Sequence, residues 1–350
     1  MGMRRRILLT VFAVITLASI AGTIASRRTT TAEHTIRISL LGTAEDEDYD
    51  GTMVFKEHVE RESHGRIAVE VYTSGQFCSN ERECMEALQA GVLQVFMITT
   101  GGFGAVYGPA QALDLPYLFG GDAIAECVLD GPITDKLSQA VLDEDIAIRL
   151  MTVSNTGGWR NFATTESPIQ TPEDVRGRKI RTITAPLQQE LVRQLGGNPT
   201  PIPWSEVYTG LATGVVSGTK NGIHDIVSMQ LHEQIRFVTL DNHAYMGGLW
   251  WYSELRWQEL PDELQEIVLG GFQRLKTATR NAIKGWEAES SAAFVASGGT
   301  LHTPTASEKQ AFREAARGMR DWYTDTYGDA WLTELDNEVA ACEAKVNRDQ

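Results

Sequence analysis

Thr171-Pro172-Glu173-Asp174, Gly177-Arg178-Lys179-Ile180-Arg181-Thr182, Pro201-Ile202-Pro203-Trp204-Ser205-Glu206-Val207-Tyr208 and Gly214-Val215-Val216-Ser217-Gly218-Thr219-Lys220-Asn221 follow one another within a single stretch around which the chain is organised. Thr171 as N-cap, Pro172 at the first helical position and Asp174 at the third make a helix start. A short apolar strand around Ile180 then delivers Arg181 at its end. An apolar helix over Leu187–Leu195 stops at Gly196-Gly197. A second helix starts near Ser205 and runs through Tyr208 and Leu211 towards Gly214, before a strand at Val215-Val216 that ends in polar residues. The alternation is α-β-α-β-α-β with polar groups at strand ends, the place where open α/β sheets bind ligands.

Arg181 carries most weight in this stretch. A guanidinium is a planar fork that matches a carboxylate with two charge-assisted hydrogen bonds. A lone arginine is more often a surface or structural residue, and the pattern around this one gives it meaning. From Asp174 to Asn221 the chain resembles the solute receptors of tripartite ATP-independent periplasmic (TRAP) transporters, whose motifs run Asp-Leu-Lys-Gly-Leu-Lys-Ile-Arg, Pro-small-Pro-aromatic-Ser-Glu-Val-Tyr and Gly-Val-Val-Asp-Gly-Gln-Glu-Asn. The likeness continues more loosely over about residues 34–345. Two positions depart from it: Ser217 stands where the family has an acid, and Lys220 where it has Glu beside Asn221. Lys220 either adds positive charge for a second acidic group or points to solvent.

Composition fits a globular chain: 350 residues, 42% hydrophobic and 22% charged, a length that suits two domains. The formal net charge of −15 argues against nucleic acid and against anionic lipid, both of which need basic patches. Residues 1–32 read as a signal peptide: Arg4-Arg5-Arg6, an apolar stretch from Ile7 to Ile24, then small residues, with cleavage after Ala25 or Ala32. The apolar stretch sits near the lower limit for a membrane span, so an uncleaved anchor is the alternative. Cleavage after Ala25 removes three arginines and takes the charge from −15 to −18.

Export gives the four cysteines a role. Cys78 and Cys84 are six apart, across a short loop entering a helix, and are expected to form a disulfide. Cys127 and Cys342 are far apart, and the sequence does not show that they meet. No pair of cysteines or histidines has zinc-ligand spacing.

Along the rest of the chain, residues 35–41 alternate as a first strand. The acidic run Glu45 to Asp50 that follows is either a solvated helix start beside the positive end of the helix dipole or places Asp48 or a neighbour against a cationic ligand group. Val92–Thr99 reads as a buried strand. The glycines after it, Gly101, Gly102 and Gly104, lack the spacing of a dinucleotide fingerprint. Leu150–Val153 and Gly248–Tyr252 read as two strands that cross between domains, and Leu264 to Phe294 keeps a 3.6-residue period over a long helix. A capping box at Ser307–Gln310 starts the next helix, and the last runs from about Ala330 to Val346.

The resemblance implies an α/β, two-lobed, type II periplasmic-binding-protein-like fold with crossing strands and a long domain-spanning helix. One lobe comprises 34–157 plus 246–285, the other 158–245 plus 286–345. It also implies a ligand cleft between them. Arg181 there pairs with a carboxylate, Arg160 assists as a second cleft arginine, Trp204 packs on the ligand's apolar face and Asn221 hydrogen-bonds. Thr99 falls at a cleft position that carries an acid in sialic-acid-type relatives. Trp250 reaches the ligand unless it is simply core, and Asp48 faces a cationic group on the sharper reading of the acidic run. No hydrolase elbow, zinc-protease motif or phosphate loop is present, so the chain is not read as an enzyme. The expectation is a monomeric periplasmic receptor, without cofactor or metal, that delivers a small organic anion to a two-component membrane permease. The alternatives are the same fold holding a small amine or zwitterion, or serving as a ligand sensor subunit.

Overall fold

The architecture is described from a computed structural model over residues 32–349. The signal-peptide reading falls, except for its last residue, outside the described residues. No helix among the described residues is long and apolar enough to cross a membrane.

The sheet is built around two strands of 17 residues each, β4 (Ile148–Thr164) and β8 (Phe237–Ser253). They run antiparallel along almost their whole length. At one end of the pair, β8 carries β3 (Val95–Thr99), β1 (His34–Ser39) and β2 (Ile67–Tyr72). At the other end, β4 carries β7 (Gly218–Asn221), β5 (Lys179–Thr182) and β6 (Asn198–Pro201), and β9 (Thr300–His302) pairs with β8. The order is β2-β1-β3-β8-β4-β7-β5-β6. The outer strands are parallel to one another, as expected of segments joined through helices. The crossing strands anticipated at Leu150–Val153 and Gly248–Tyr252 are therefore parts of much longer elements, near the start of β4 and near the end of β8.

The β4–β8 ladder breaks in its middle, where register shifts fall between Asn155 and Trp159 and between Arg160 and Phe162. Gly157 and Gly158 sit there at φ of 79° and 82°, a left-handed conformation that glycine adopts without a Cβ clash. A Cβ on Gly157 would lie 2.3 Å from the Asp225 carboxylate. Asp225 belongs to α8 (Ile223–Ser228). The bulge thus lets strand and helix approach closely at the centre of the sheet.

Helix α1 (Glu47–Glu62) and the 35-residue α10 (Asp262–Ala296) pack together over β1 and the first half of β4. Phe55, Val59, Leu264, Val268, Phe272 and Leu275 form their shared apolar seam. Helix α10 continues past the bulge to α8. It is pinned to the sheet by Arg280, which donates to the Val153 carbonyl at 2.8 Å and to Asp130 at 2.7 Å. Ile202, Val207, Leu211, Val216 and Ile226 make a separate core at the other end, closed by Phe294 of α10.

Several local expectations shift. The helix at Thr171 is one 3-10 turn, Pro172–Val175, with the Asp174 carboxylate accepting from the Thr171 N–H at 2.8 Å. Val215-Val216 is not the strand. Pairing begins at Gly218, because the Ile180–Gly218 register places the polar residues themselves in the sheet. Asn198–Pro201 forms an edge strand despite two prolines, which are tolerated at an edge. The helix predicted at Ser307 is capped two residues earlier, by Thr305 and Glu308.

Cys78 and Cys84 form the expected disulfide at the start of α2 (Glu81–Gln89), with Cα atoms 5.2 Å apart. Cys127 of α4 (Asp122–Leu129) and Cys342 of α13 (Ala330–Asp349) form a second, 5.8 Å apart. Helix α13 lies on α4 and on α5 (Pro132–Asp143), with Lys136 over the Trp331 ring at 4.8 Å. The two preceding helices, α11 (Ala306–Ala315) and α12 (Gly318–Tyr327), reach the other way, to the turn at Pro172 and to α6 (Pro186–Gln194).

The bridges close loops of very different length, with separations of 6 and 215 residues. On the chain-entropy argument they stabilise by roughly 2–3 and about 5 kcal/mol. Replacing Cys127 and Cys342 together by Ala is expected to lower the denaturation midpoint more than replacing Cys78 and Cys84. Chemical denaturation without reductant checks the ranking, and the opposite order would refute it.

Candidate functional site

Two helix starts and the ends of β3, β5 and β7 converge where the β4–β8 ladder breaks. The cleft they form has about 720 Å³ of space between its walls, part of it open to solvent. It is lined by Asp46, Asp48, Thr99, Thr156, Arg160, Arg181, Trp204, Asn221 and Asp225, over a floor of Met97, Ile98, Ile183 and Met246.

The register explains the convergence. Asn161 pairs with Asn221 across β4–β7, and Ile180 with Gly218 across β5–β7. Arg160 and Asn221 are thus one residue off opposite positions, and Arg181 follows one step beyond the β5–β7 pair. Trp204 opens a 3-10 turn after β6 and lays its ring beneath the Arg181 guanidinium at 5.6 Å. Arg181 Nε donates to the Ile202 carbonyl at 3.0 Å, which orients the fork. Its Nη2 is buried and has no partner among the described residues. The side chain is 2% exposed, and burial pushes its pKa down to about 10.

Arg160 is held from behind. Its Nη1 donates to the Lys220 carbonyl at 3.1 Å, its Nη2 to Thr99 Oγ1 at 3.4 Å, and its Nε lies 3.8 Å from Asp114. Thr99 also caps the short helix α3 (Thr100–Phe103) by accepting from the Gly102 N–H at 3.0 Å. Lys220 points neither to solvent nor into the cleft. It is buried behind Arg160 and donates to the carbonyl and the side-chain oxygen of Gln188, whose amide bonds Asp114. Burial, together with the Arg160 charge, lowers its pKa to about 7.

The opposite wall is acidic. Asp46 occupies the N-cap position of α1, and Glu47 and Asp48 open its first turn. All three are buried, so the solvated reading is overturned for Asp46, Glu47 and Asp48, while Glu45 and Asp50 at the ends of the run are exposed; the seam between α1 and α10 holds this helix start against the cleft. Glu47 accepts from the Gly157 N–H at 2.7 Å, and Asp48 from Thr156 Oγ1 at 2.7 Å. Asp225 accepts from Asn221 Nδ2 at 3.1 Å and from the Gly222 N–H at 3.3 Å. Asn221 is held on its other side by Thr219 Oγ1 at 2.7 Å. Burial and the mutual repulsion of these acids raise the pKa of Glu47 and of Asp48 well above the usual carboxylate range, and bring Asp225 to about 7.

Every candidate residue read from the sequence lines this cleft except Trp250. That ring is fully buried between α10 and the sheet, 6.5 Å from Phe272, with its indole N–H on Ser154 Oγ at 2.9 Å. Inward-facing positions of a strand covered by a helix are filled by core, and Trp250 takes one of them. Sequence reading did not single out Asp225, Asp114 or Gln188. Asp225 carried a usable signal, since an acid at the third position of a helix entered from a polar strand end points back at that end. Asp114 and Gln188 carried none, because their contacts join segments 74 residues apart.

The sequence profile of the family described as "Bacterial extracellular solute-binding protein, family 7" matches residues 39–324. An ectoine-binding periplasmic protein of Halomonas elongata is 28% identical over 308 residues, 85% of this chain and 89% of that protein. A C4-dicarboxylate-binding periplasmic protein of Rhodobacter capsulatus is 27% identical over 79% of this chain and 83% of its own length. Among solved structures, a TRAP periplasmic solute-binding protein from Sulfurospirillum deleyianum with bound succinate superposes with a TM-score of 0.82. It is 25% identical and covers 87% of this chain and 99% of that one.

The buried acid Asp225 makes stability depend on pH in a direction opposite to a salt-bridged carboxylate. Its folded pKa, about 7, lies above the ordinary 3.8. Between those values the folded state binds the extra proton, so the Asp225 contribution falls as pH rises from about 4 to about 7. Asp225→Asn removes that fall. Relative to the parent protein, the variant is expected to gain stability across this window, by an amount on the order of a few kcal/mol. Urea denaturation of both proteins at pH 4.5 and 7.5 measures it; a difference that stays constant or shrinks with pH refutes it.

Proposed function

The chain belongs to the bacterial extracellular solute-binding protein family 7, the solute receptors of TRAP transporters, and we propose that in the periplasm its cleft captures a small organic carboxylate for a two-part membrane permease. The observation that carries this reading is the buried Arg181 fork, oriented by Ile202 and backed by Trp204, with one guanidinium nitrogen unpartnered among the described residues. Taking a guanidinium out of water costs several kcal/mol, which a planar bidentate anion returns. C4-dicarboxylate and succinate, named for the Rhodobacter and Sulfurospirillum proteins, are ligands of that kind.

In this reading Arg181 makes the paired contact and Arg160, fixed by Asp114, Thr99 and the Lys220 carbonyl, adds a second positive edge. Trp204 covers an apolar face of the solute. Asn221 is held by Thr219 and Asp225 with its amide at the cleft wall. The lobes are 34–157 with 246–285 and 158–245 with 286–345, with α13 reaching back across to the first. Asp48, Thr99 and Thr156 come from the first lobe and Arg160, Arg181, Trp204 and Asn221 from the second, so a bound solute favours their approach about the middle of β4 and β8.

Two measurements follow. With whichever acid of a succinate, gluconate and lactate series raises the melting temperature most, Arg181→Ala is expected to weaken binding by about 3–5 kcal/mol, two to four decades in Kd. Arg181→Lys should lose nearly as much, since a point charge cannot reproduce the fork. Calorimetric affinities unchanged in both variants would dismiss the carboxylate clamp. Saturation with the same acid should also reduce the radius of gyration in small-angle scattering, and an unaltered radius would rule out closure.

A further inference from the structure

We propose that Lys220 is a positioning residue for the solute: a closed ring of buried contacts ties it to Arg160, and the charge it carries or gives up sets how strongly that end of the cleft attracts an anion. The inference rests on the reading of the cleft as a carboxylate site and adds to it a group that never touches the solute.

Alternation along β7 puts Lys220 on the face opposite Asn221, away from the cleft. Four residues then close a ring. Arg160 Nη1 donates to the Lys220 carbonyl at 3.1 Å. Lys220 Nζ donates to the Gln188 carbonyl at 3.0 Å and to Gln188 Oε1. The Gln188 amide donates to Asp114 Oδ2, and Asp114 Oδ1 lies 3.8 Å from Arg160 Nε. None of the four is more than 3% exposed. They come from β4, β7, α6 and the 3-10 turn Gly108–Asp114. The Lys220 side chain therefore reaches the Arg160 guanidinium through Gln188 and Asp114, while its carbonyl holds the other edge.

The partners of this lysine leave its charge free to change. Both of its acceptors among the described residues belong to the uncharged Gln188. The charges that act on it are Arg160 from β4, Arg181 from β5, Asp114 from the 3-10 turn and Asp241 from β8. Asp241 is itself bonded to Tyr117 and His243. Burial and the two arginines draw the proton off near neutral pH. A neutral amine keeps two N–H groups, enough for both Gln188 oxygens. The ring thus survives either state, and only the charge behind Arg160 changes. A carboxylate set against Arg160 and Arg181 favours the charged lysine by Coulomb attraction, and by linkage the charged lysine favours the carboxylate. Bound solute raises the Lys220 pKa above its value in the empty cleft. Affinity is therefore full below about 7 and falls as pH rises above it.

The test measures calorimetric affinities for succinate, gluconate and lactate at pH 6.5, 7.5 and 8.5. It uses the parent protein, Lys220→Met, Asp225→Asn and Arg181→Ala. In the parent, whichever acid binds best is expected to weaken by about tenfold or more from the lowest to the highest pH. In Lys220→Met the same span should cost less than about threefold. A lysine that mattered only for packing would, when replaced, lower affinity equally at every pH. Asp225 faces the cleft and titrates in the same range, so Asp225→Asn separates the two groups and is expected to keep the parent's fall. In the ligand-free parent, side-chain 13Cε resonances are expected to show one lysine titrating near pH 7 and moving upward when acid is bound, a reading that holds even if Lys220→Met does not fold. A smaller fall in the parent, a fall that Lys220→Met retains or Asp225→Asn removes, or lysines that all titrate in the ordinary range overturns the inference. If Arg181→Ala still abolishes binding in those cases, the carboxylate receptor stands without the lysine's part in it. Failure of all three acids to bind the parent, or binding that survives Arg181→Ala, removes both.

Discussion

The antiparallel pairing of β4 with β8 sets the places of the other strands and of the cleft. Two 17-residue strands joined along their length hold the chain's two groups of parallel strands at opposite ends of one ladder. The pair is also interrupted. At Asn155–Trp159 it loses register, and the left-handed Gly157 and Gly158 turn backbone N–H groups inwards. The Gly157 N–H goes to Glu47, and the Gly158 N–H to Asn155. The ladder is most interrupted where the cleft opens, and the strands leaving that point deliver the polar residues.

Burying charge at the end of a sheet is expensive, and the protein meets the cost unevenly. On the arginine side it builds supports. Asp114, Gln188 and Lys220 form a chain behind Arg160, and Ile202 and Trp204 fix Arg181. These supports keep the guanidiniums in place without using their whole hydrogen-bonding capacity. On the acidic side the supports are fewer, and the result is carboxyls whose pKa rises instead of falling. Strained electrostatics of this sort concentrate where a ligand completes the set. Lys220, which stands where the family motif has Glu, belongs to the supporting chain and not to the cleft. The substitution changes what lies behind Arg160, not what faces the cleft.

The two disulfides suit the same geometry. Cys78–Cys84 stiffens the loop whose Ser79 carbonyl accepts from Ser205 Oγ at 3.3 Å, a contact across the cleft mouth next to Trp204. Cys127–Cys342 fastens the final helix to α4 after α11 and α12 have run over the other end of the sheet. The C-terminal segment therefore touches both ends of the ladder while being covalently tied to one.

Local features were legible in the chain alone: periodicity, caps and motif spacing. The 3.6-residue repeat from Leu264 to Phe294 gave the long helix, since its apolar face is written in one segment. The motif around Lys179-Ile180-Arg181 and Pro203-Trp204 placed the arginine and the aromatic at successive strand ends. Cys78 and Cys84 were legible because a short loop entering a helix can bring them together, which the structure realises as a bridge. The remainder involves segments distant in the chain. The burial of Asp46, Glu47 and Asp48 depends on α10 pressing α1 against the sheet. The acidity seen as a solvated helix start thereby becomes a wall of the cleft. Trp250 was readable as facing ligand or, as such aromatics more often do, core, and the strand's register settled it by turning the ring under α10. Cys127 and Cys342, Asp114 and Gln188, and the position of Lys220 rest on contacts between residues 32 to 215 apart. Nothing in a local pattern encodes such pairings, because their energy comes from a surface that exists only once the strands have crossed.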